Sequence, residues 1–373
     1  MSLVFDLVVR GGTCVVDGYE VELDVGLRDG RIAALGPLAT ASAGETFDAT
    51  GLHVLPGVID TQVHLREPGL EHKEDLATGT AAAIAGGVTA VFEMPNTRPA
   101  TTTAEALQDK LRRAAGRAWC DHAFYVGASG ENTPHLAELE RLPGCCGVKL
   151  FMGSSTGELL VADDEGVRAV LRSGRRRLAV HAEDELRLRE RKAAFAQRGR
   201  PESHPTWRDA EAAATAVRRL LALARETGRR VHVLHVSSAD ELPLLAAHRD
   251  LATFEVTPQH LTLAAPECYE RLGTRAQMNP PIRDAHHREA LRRAAATGLL
   301  DMVGSDHAPH TLEEKAGEYP DSPSGMTGVQ TLVPVLLDHV HAGWLSLRRL
   351  VELTSAGPAR AFGIAGKGRL APG

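Results

Sequence analysis

An imidazole and a guanidinium stand two residues apart at His64 and Arg66, shortly after an apolar run at Leu55–Ile59. A histidine can bind a metal ion, and an arginine offers an anionic group a planar fork of donors. Taken alone, this short pattern is equally typical of a surface loop behind a core strand. Its meaning therefore depends on what the rest of the chain places beside it.

Four further candidate ligands follow or lie within later apolar runs. They are Lys149, His181, His235 and Asp306. Imidazole nitrogens with one carboxylate suit zinc, which lowers the pKa of a bound water toward about 7 when one coordination position stays open. Each histidine alone could instead be a hydrogen-bonded core residue. Taken with His64, the set favours a divalent-metal hydrolase, with Asp306 as the general base that moves the proton.

Lys149 needs a separate argument, because an ammonium buried beside cations is strongly disfavoured. The lysine would have to lose its proton, or react with carbon dioxide to give a carbamate that can bridge two metal ions. The alternative is a side chain that extends along apolar surface to reach water at the mouth of the site.

The elements that would position these groups are short apolar runs alternating with segments of helical period. The runs are Leu55–Ile59, Val88–Met94, Ala123–Gly127, Val148–Met152, Leu178–Val180, Val231–Val236, Thr253–Val256 and Leu299–Gly304. The intervening helices include Lys73–Ala85, Ala104–Ala115, Trp207–Arg225 and His286–Ala296. The pattern predicts an α/β protein with a closed (β/α)8 TIM barrel, whose chemistry lies at the C-terminal ends of the strands.

Residues 1–54 differ from this pattern and predict part of a small β-sandwich-like domain. Strands are expected at 7–10, 21–27 and 31–35, with a hairpin turn at 28–31. The barrel is expected over 55–362. Residues 363–373 would begin a return to the small domain, and we expect the chain to be truncated there.

The composition excludes several classes of protein. A hydrophobic fraction of 43% and a charged fraction of 24% are ordinary for a globular protein, and a net charge of -6 argues against nucleic acid as a partner. No apolar stretch reaches the length of about 18 residues that a membrane span needs, and the N-terminus lacks the features of a signal peptide. We therefore expect a cytoplasmic protein that acts on a small molecule. A homodimer is an open possibility that no interface pattern supports.

Seven motifs together resemble the dihydroorotases of the amidohydrolase superfamily, in particular the long-chain type related to hydantoinases and allantoinases. They are His64-Leu65-Arg66-Glu67-Pro68-Gly69, Glu93-Met94-Pro95-Asn96-Thr97, Val148-Lys149-Leu150-Phe151-Met152, His181-Ala182-Glu183-Asp184, His235-Val236-Ser237-Ser238, Asn279-Pro280-Pro281-Ile282-Arg283 and Gly304-Ser305-Asp306-His307-Ala308-Pro309-His310. The resemblance implies zinc-dependent, reversible cyclisation of N-carbamoyl-L-aspartate to L-dihydroorotate in pyrimidine biosynthesis. It also implies that Arg66, Asn96 and His310 hold the substrate carboxylate and that Asn279 lines the ring pocket.

One position departs from the family pattern. The family has His-x-His after the first strand, whereas this chain has Gln62 before His64. In the family, those two histidines, the lysine and the aspartate hold one metal, and the lysine and two later histidines hold the second. A neutral amide oxygen is a poorer ligand for zinc than an imidazole. We therefore expect a weakened first site and one or two zinc ions per chain.

Two alternatives stay open at this point. One is another cyclic amidase, such as a hydantoinase, dihydropyrimidinase or allantoinase, although an uncharged ring would have little use for Arg66. The other is a non-catalytic barrel that serves as a partner of aspartate transcarbamoylase. Gln62 favours that second alternative, and the other ligands argue against it.

Overall fold

The computed structural model describes residues 4–155 and 159–373. Its N-terminal part is a sheet whose strands β1 to β5 are Val4–Val16, Tyr19–Arg28, Arg31–Gly36, Ser42–Asp48 and His53–Val54. The strand order is β3-β2-β1-β4, and β5 pairs with β1. The sequence predicted the first three strands. It missed β4 and β5, where alternation between apolar and polar residues is weak.

The predicted hairpin at 28–31 is confirmed. Arg28 pairs with Arg31, and the two residues between them, Asp29 and Gly30, have φ angles of 53° and 70°. A two-residue turn with both φ angles positive matches the right-handed twist of the strands it joins.

The barrel strands β6 to β13 are Val58–Val63, Val88–Glu93, Asp121–Gly127, Cys145–Phe151, Leu178–His181, Val231–Val233, Ala252–Val256 and Met302–Val303. Each pairs in parallel with the next, from β6 through to β13. A parallel bridge between Val63 and His307 brings the two ends of this sheet together on the side where the strands end. The predicted (β/α)8 barrel with a small N-terminal sheet is confirmed for the described residues.

The first barrel strand was placed too early in the sequence. It runs from Val58 to Val63, not over Leu55–Ile59. Pro56 has no amide hydrogen for a sheet ladder. The polar residues that seemed to end the strand are buried inside it, because neighbouring elements satisfy them: Asp60 accepts from the amide of Ser305 at 3.0 Å, and Thr61 donates to Glu255 at 2.8 Å.

Two other strands are shorter than their apolar runs. The sixth barrel strand ends at Val233 and the eighth at Val303, whereas apolar residues continue to Val236 and Gly304. The backbone turns away from the sheet soon afterwards, with positive φ angles of 39° at His235 and 46° at Asp306. The pattern of apolar residues gives no sign of such a turn in the backbone, so these two strands were predicted to be too long.

The helices α1 to α15 are Leu76–Ala85, Ala104–Ala114, Leu136–Leu139, Asp164–Arg172, Glu185–Phe195, His204–Trp207, Ala210–Thr227, Glu241–Ala246, Pro258–Thr262, Glu267–Leu272, Ala285–Thr297, Leu312–Lys315, Leu332–His341, Leu347–Val351 and Gly357–Phe362. A π-helical turn at Glu352–Ala356 joins α14 to α15. None of the helices in the described ranges is long and apolar enough to cross a membrane.

The N-cap residues of helices α1 and α7 explain why both helices begin later than the sequence predicted. Helix α1 starts at Leu76, not Lys73, because Asp75 accepts a hydrogen bond from the amide of Thr78. Helix α7 starts at Ala210 because Asp209 caps it in the same way. It ends at Gly228, whose φ of 69° gives the left-handed residue that often terminates a helix.

The C-terminal residues lie against the N-terminal sheet. The amide of Gly373 donates to the carbonyl of Ile32 at 3.0 Å, and Leu370 is buried with Cys14 and Val25. The domain limits at residues 54 and 362 stay a prediction.

Candidate active site at the barrel mouth

All six predicted metal-binding side chains line one small cavity of about 20 Å³ at the C-terminal ends of the barrel strands. Its walls are formed by Gln62, His64, Lys149, Phe151, Ser155, His181, His235, Asn279, Asp306, Ala308, Ser324 and Gly325. The six come from five strands or from the loops that directly follow them, and Gln62 and His64 both belong to the first barrel strand and its loop. The barrel therefore brings together residues that are up to 244 positions apart.

The backbone takes an unusual conformation at three residues of this region. Arg66, His235 and Asp306 have φ angles of 66°, 39° and 46°. Residues with a side chain rarely adopt a left-handed conformation, which costs on the order of 1 to 3 kcal/mol each. Each of the three closely follows the end of its strand, so the turn falls where the strand passes into the loop at the barrel mouth.

Lys149 is fully buried, with its Nζ 4.4 Å from the centre of the Phe151 ring. Burial lowers the pKa of Lys149, and the negative charge of Asp306 opposes that change. An amine with a lowered pKa is the form that can react with carbon dioxide or bind a metal. Carboxylation of Lys149 stays a prediction.

His181 is held in one orientation by a carboxylate. Its Nε2 lies 2.8 Å from Glu183, which is itself bound by the guanidinium of Arg208, with Nε at 3.1 Å. Because Nε2 donates its proton to Glu183, the lone pair of Nδ1 is left facing His235 Nε2 at 3.0 Å. Two nitrogens bound to one tetrahedral zinc stand about 3.3 Å apart, given Zn–N bonds of about 2.0 to 2.1 Å. The pair therefore fits a shared metal ion.

Glu183 and Arg208 support His181 at the site, and the sequence alone did not single them out. Glu183 stands two residues after His181 within a motif already noted, and an acid so close to a candidate ligand was an available signal. Arg208 lies in none of the motifs. Its role depends on how the loop before α7 folds back over the barrel.

Gln62 contacts Asp306 directly. Its Nε2 donates to Asp306 Oδ1 at 2.8 Å, and His64 Nε2 lies 3.3 Å from the same oxygen. Gln62 Oε1 is buried and has no hydrogen-bond partner among the described residues. This orphaned oxygen could serve a metal ion, but it carries no charge, so the first metal site is chemically poorer than the second.

Arg66 and His310 lie side by side at the edge of the ligand cluster. Arg66 Nε donates to the carbonyl of Pro309 at 3.0 Å, and its Nη2 is 3.3 Å from His310 Nε2. Burial lowers the pKa of Arg66 to about 10, which still leaves the guanidinium charged at neutral pH. Burial, with the charges of Arg66 and Lys73, lowers the pKa of His310 to about 3, so that ring is neutral.

The other two predicted substrate-binding residues lie on different walls. Asn96 is buried and hydrogen-bonds His64. Asn279 Oδ1 lies 3.0 Å from His204 Nε2, and Asn279 lines both the ligand cavity and a larger neighbouring cavity of about 540 Å³. Ser155 and Ser324 are also shared between the two cavities. The larger cavity thus adjoins the ligand cluster and offers a substrate a way to it.

A second cluster of metal-binding residue types, Asp284, His286 and His287, lies away from the barrel mouth. His287 Nδ1 accepts from the amide of Ala239 at 2.9 Å, which places the ring proton on Nε2 when the ring is neutral. Asp284 caps helix α11. One nitrogen of His287 then accepts a hydrogen bond and the other carries the ring proton, so neither can bind a metal ion. Asp284, His286 and His287 therefore do not form a metal site separate from the one at the barrel mouth.

Comparisons with known proteins agree with this geometry. Residues 53–373 match the family described as "Amidohydrolase family". A dihydroorotase from Halobacterium salinarum is 40% identical over 360 residues, which cover 94% of this chain and 81% of that protein. An allantoinase from Rubrobacter xylanophilus is 40% identical over 386 residues, with 99% of this chain and 83% of that protein covered.

Among solved structures, an L-hydantoinase (dihydropyrimidinase) from Arthrobacter aurescens superposes with a TM-score of 0.93 at 30% identity. The superposition covers 99% of this chain and 85% of that one. These relatives carry different names, so similarity alone does not select the substrate.

Proposed function

The chain belongs to the amidohydrolase family, and from that premise we propose that it is a dihydroorotase, which interconverts L-dihydroorotate and N-carbamoyl-L-aspartate in pyrimidine biosynthesis. The family supports hydrolysis of a cyclic amide in a small molecule. The choice of dihydroorotate rests on the residues beside the ligand cluster.

The observation that carries the proposal is the buried, charged Arg66 next to His310, at the edge of the cavity that holds the ligand cluster. The carboxylates of Asp306 and Glu93 act on Arg66 through their charge, but among the described residues none forms an ion pair with it. A buried guanidinium without such a partner is costly unless an anion binds it. Pro309 satisfies only its Nε with a carbonyl. Dihydroorotate carries a ring carboxylate that fits this position, whereas hydantoin and dihydrouracil carry no such group.

The residues at the barrel mouth fit a divalent metal. His64, Lys149, Asp306 and, more weakly, Gln62 would hold the first ion. Lys149, His181 and His235 would hold the second. Zinc bound there would supply activation of water and polarisation of the scissile carbonyl.

Asp306 is placed to handle the proton of this reaction. Burial raises the pKa of its carboxyl group, while the charge of Lys149 opposes that change. In hydrolysis, the oxygen of water adds to the amide carbon, the proton of water passes to Asp306, and the same proton then moves to the ring nitrogen as the C–N bond breaks. Cyclisation runs through the same steps in reverse.

Allantoin hydrolysis is the second candidate. It is favoured by the allantoinase from Rubrobacter xylanophilus, which matches this chain as closely in identity as the dihydroorotase does. Allantoin has no carboxylate, so under this candidate Arg66 would have no anionic partner in the substrate.

The test is a substrate panel with zinc-supplemented protein: dihydroorotate, allantoin, hydantoin and dihydrouracil. We expect turnover of dihydroorotate, and we expect Arg66→Met to raise its KM at least tenfold, since charge-assisted hydrogen bonds contribute about 1.5 to 3 kcal/mol. Arg112→Met, on the exposed face of helix α2, is the matched control.

Turnover of allantoin without dihydroorotate would replace the proposal by the second candidate. A folded protein that binds zinc and acts on none of the four rings would favour the non-catalytic partner of aspartate transcarbamoylase.

A further inference from the structure

His310 turns one edge of its ring toward the ligand cavity and the other toward Lys73, and from these contacts we infer that Lys73 is a positioning residue for substrate binding. Lys73 holds His310 in one neutral tautomer. The Nε2–H of that tautomer and Nη2 of Arg66 then form a pair of donors for the substrate carboxylate. The inference rests on the proposed function for the identity of the anion.

The Nδ1 edge fixes the tautomer. Lys73 Nζ lies 2.9 Å from His310 Nδ1. An ammonium has donors and no acceptor, so Nδ1 must be the acceptor and cannot carry a proton. The ring proton therefore belongs to Nε2.

Glu314 holds the ammonium of Lys73 in place. Its Oε1 lies 3.1 Å from Lys73 Nζ, and its Oε2 accepts from the amide of Thr311 at 3.0 Å. His72 Nε2 is a further neighbour of this carboxylate, at 3.2 Å. Burial alone would raise the pKa of Glu314, but the hydrogen bonds from Thr311, Lys73 and His72 lower it to about 2. The carboxylate is thus ionised under all ordinary conditions.

The Nε2 edge has the opposite character. Nε2–H donates to the carbonyl of Ser324 at 3.1 Å, and Arg66 Nη2 stands 3.3 Å away. A guanidinium, like an ammonium, has only donors. The two donors cannot satisfy each other, so an anionic oxygen in front of them would accept from Arg66 Nη2 and share the Nε2–H with the carbonyl of Ser324.

Gly325 keeps this edge of the ring accessible. It lines the ligand cavity, and a Cβ at this position would lie 2.9 Å from His310 Nε2 and 2.5 Å from the carbonyl oxygen of Ala308. A side chain would therefore block the space in front of Nε2. Its φ of 151° is also one that residues with side chains rarely adopt.

Removal of the ammonium would release the tautomer. Without it, the carbonyl of Ser324 would still favour a proton on Nε2, but Nη2 of Arg66 would favour a lone pair there, so the proton would occupy Nδ1 for part of the time. Nε2 would then direct a lone pair at the carboxylate. Binding of an anion would weaken, whereas binding of an uncharged ring would not. The role of Lys73 is thus specific to anionic substrates.

The first test reads the tautomer directly. Zinc-loaded protein with 15N-labelled histidine is measured by long-range 1H–15N correlation between pH 6 and 8, and the His310 signals are assigned with His310→Gln. We expect a protonated Nε2 and an unprotonated Nδ1 in the wild type. A wild-type His310 protonated at Nδ1, or at both nitrogens, would overturn the inference. This test needs no substrate, so it stands whether or not the protein is a dihydroorotase.

The second test measures how Lys73 affects the binding of the substrate. Lys73→Met should shift the His310 signals toward a mixture of tautomers and raise the KM for dihydroorotate about tenfold, with kcat changed less than about threefold. Lys73→Arg, which keeps a charged donor, should recover most of the loss. Lys367→Met, at the opposite end of the barrel, is the control.

A loss confined to kcat, or no recovery by Lys73→Arg together with unchanged His310 signals, would contradict a positioning role. If the wild type leaves dihydroorotate untouched while His310 shows the expected tautomer, the proposed function fails and the assignment of Lys73 to His310 stands. If Lys73→Met does not fold, the wild-type spectrum still decides the tautomer.

Discussion

Asp306 is the residue on which the proposed chemistry most depends. Gln62 Nε2 and His64 Nε2 both lie within 3.3 Å of its Oδ1, so one carboxylate oxygen is oriented by two neighbours. A carboxylate held in this way can accept a proton without first losing a mobile hydration shell.

Asp306→Asn should therefore keep the fold and lose the reaction. The amide has nearly the same shape but cannot accept and return a proton, so we expect kcat to fall by about 10² to 10⁴. Steady-state hydrolysis and the thermal midpoint are the measurements, with the exposed Asp338→Asn as the control. Retention of more than a tenth of the wild-type rate would rule out Asp306 as the base.

Gln62 is the residue that sets apart the two metal sites. Gln62→His would replace a neutral amide oxygen by an imidazole, so it should strengthen the first site and raise the zinc content from near one toward two ions per chain. Metal analysis after dialysis against a weak chelator measures this, with Asp306→Asn as the variant expected to move the other way. If the wild type bound two zinc ions with equal affinity, Gln62 would not weaken the first site and this prediction would be wrong.

Residue types at the ends of apolar runs, together with the family motifs, predicted the six candidate metal-binding side chains that line the ligand cavity. They did not predict Glu183, Arg208 or Lys73, which act by holding another side chain. Carboxylates, arginines and lysines are common on every surface. Only the contacts of the folded chain separate these three from the rest.

At the scale of elements, the alternation of apolar runs and helical segments was sufficient to predict the barrel. The predicted strand boundaries were wrong where a strand contains polar residues, as at Asp60. They were also wrong where the backbone turns sharply within an apolar run, as at His235. Both failures lie at the barrel mouth. At the mouth, the same residues must form the sheet and supply the polar groups of the site. Local sequence patterns therefore predict the ends of the strands least reliably there.

Helix α2 is attached to barrel strand β7 by a buried ion pair. Lys110 contacts Glu93 and donates to the carbonyl of Met94 at 3.1 Å, and both charged side chains are about 1% exposed. An ion pair so far from water is costly to break by removing one partner, because the other charge then remains buried.

Lys110→Met should lower the free energy of unfolding by about 3 to 5 kcal/mol, and the double variant Glu93→Gln/Lys110→Met should recover part of that loss. Urea unfolding followed by circular dichroism gives both values. Lys192→Met, on helix α5, is the control. If the double variant were less stable than Lys110→Met alone, the stranded charge would not be the cause.

At the scale of the whole molecule, buried neutral histidines contribute to the way in which the stability of the fold depends on pH. His204 and His260 are fully buried, and burial is the main reason why their pKa values fall to about 3 and about 4. His204 Nε2 lies 3.0 Å from the carbonyl of Met278, and His260 Nε2 lies 3.2 Å from the carbonyls of Pro280 and Pro281. Together they hold the segment that carries Asn279.

The contribution of these two rings to stability should therefore fall as the pH drops. Between about 6.5, the pKa of an exposed histidine, and the lowered pKa of the folded state, the unfolded chain binds more protons than the folded one. The contribution of these rings is complete above about pH 6.5 and is lost toward pH 4, by on the order of 2 to 3 kcal/mol for His260.

Thermal midpoints of the metal-free protein at several pH values between 7.5 and 4 test this, because acid removes zinc from the holoprotein by a separate route. His260→Gln should be less stable at pH 7.5 and less sensitive to acid, and His135→Gln, on the surface, should behave as the wild type does. A His260→Gln variant that loses stability with acid as steeply as the wild type would contradict the account.

The left-handed backbone at Arg66, His235 and Asp306 limits how this protein can be improved. Glycine adopts such angles without strain, so replacing any of the three by glycine should relax the local backbone while deleting a side chain that the proposed reaction uses. A library selected for heat resistance alone would tend to accumulate glycine at these positions and become inactive. Directed evolution of this chain should therefore select for turnover in every round, since durability and catalysis are in conflict at these three positions.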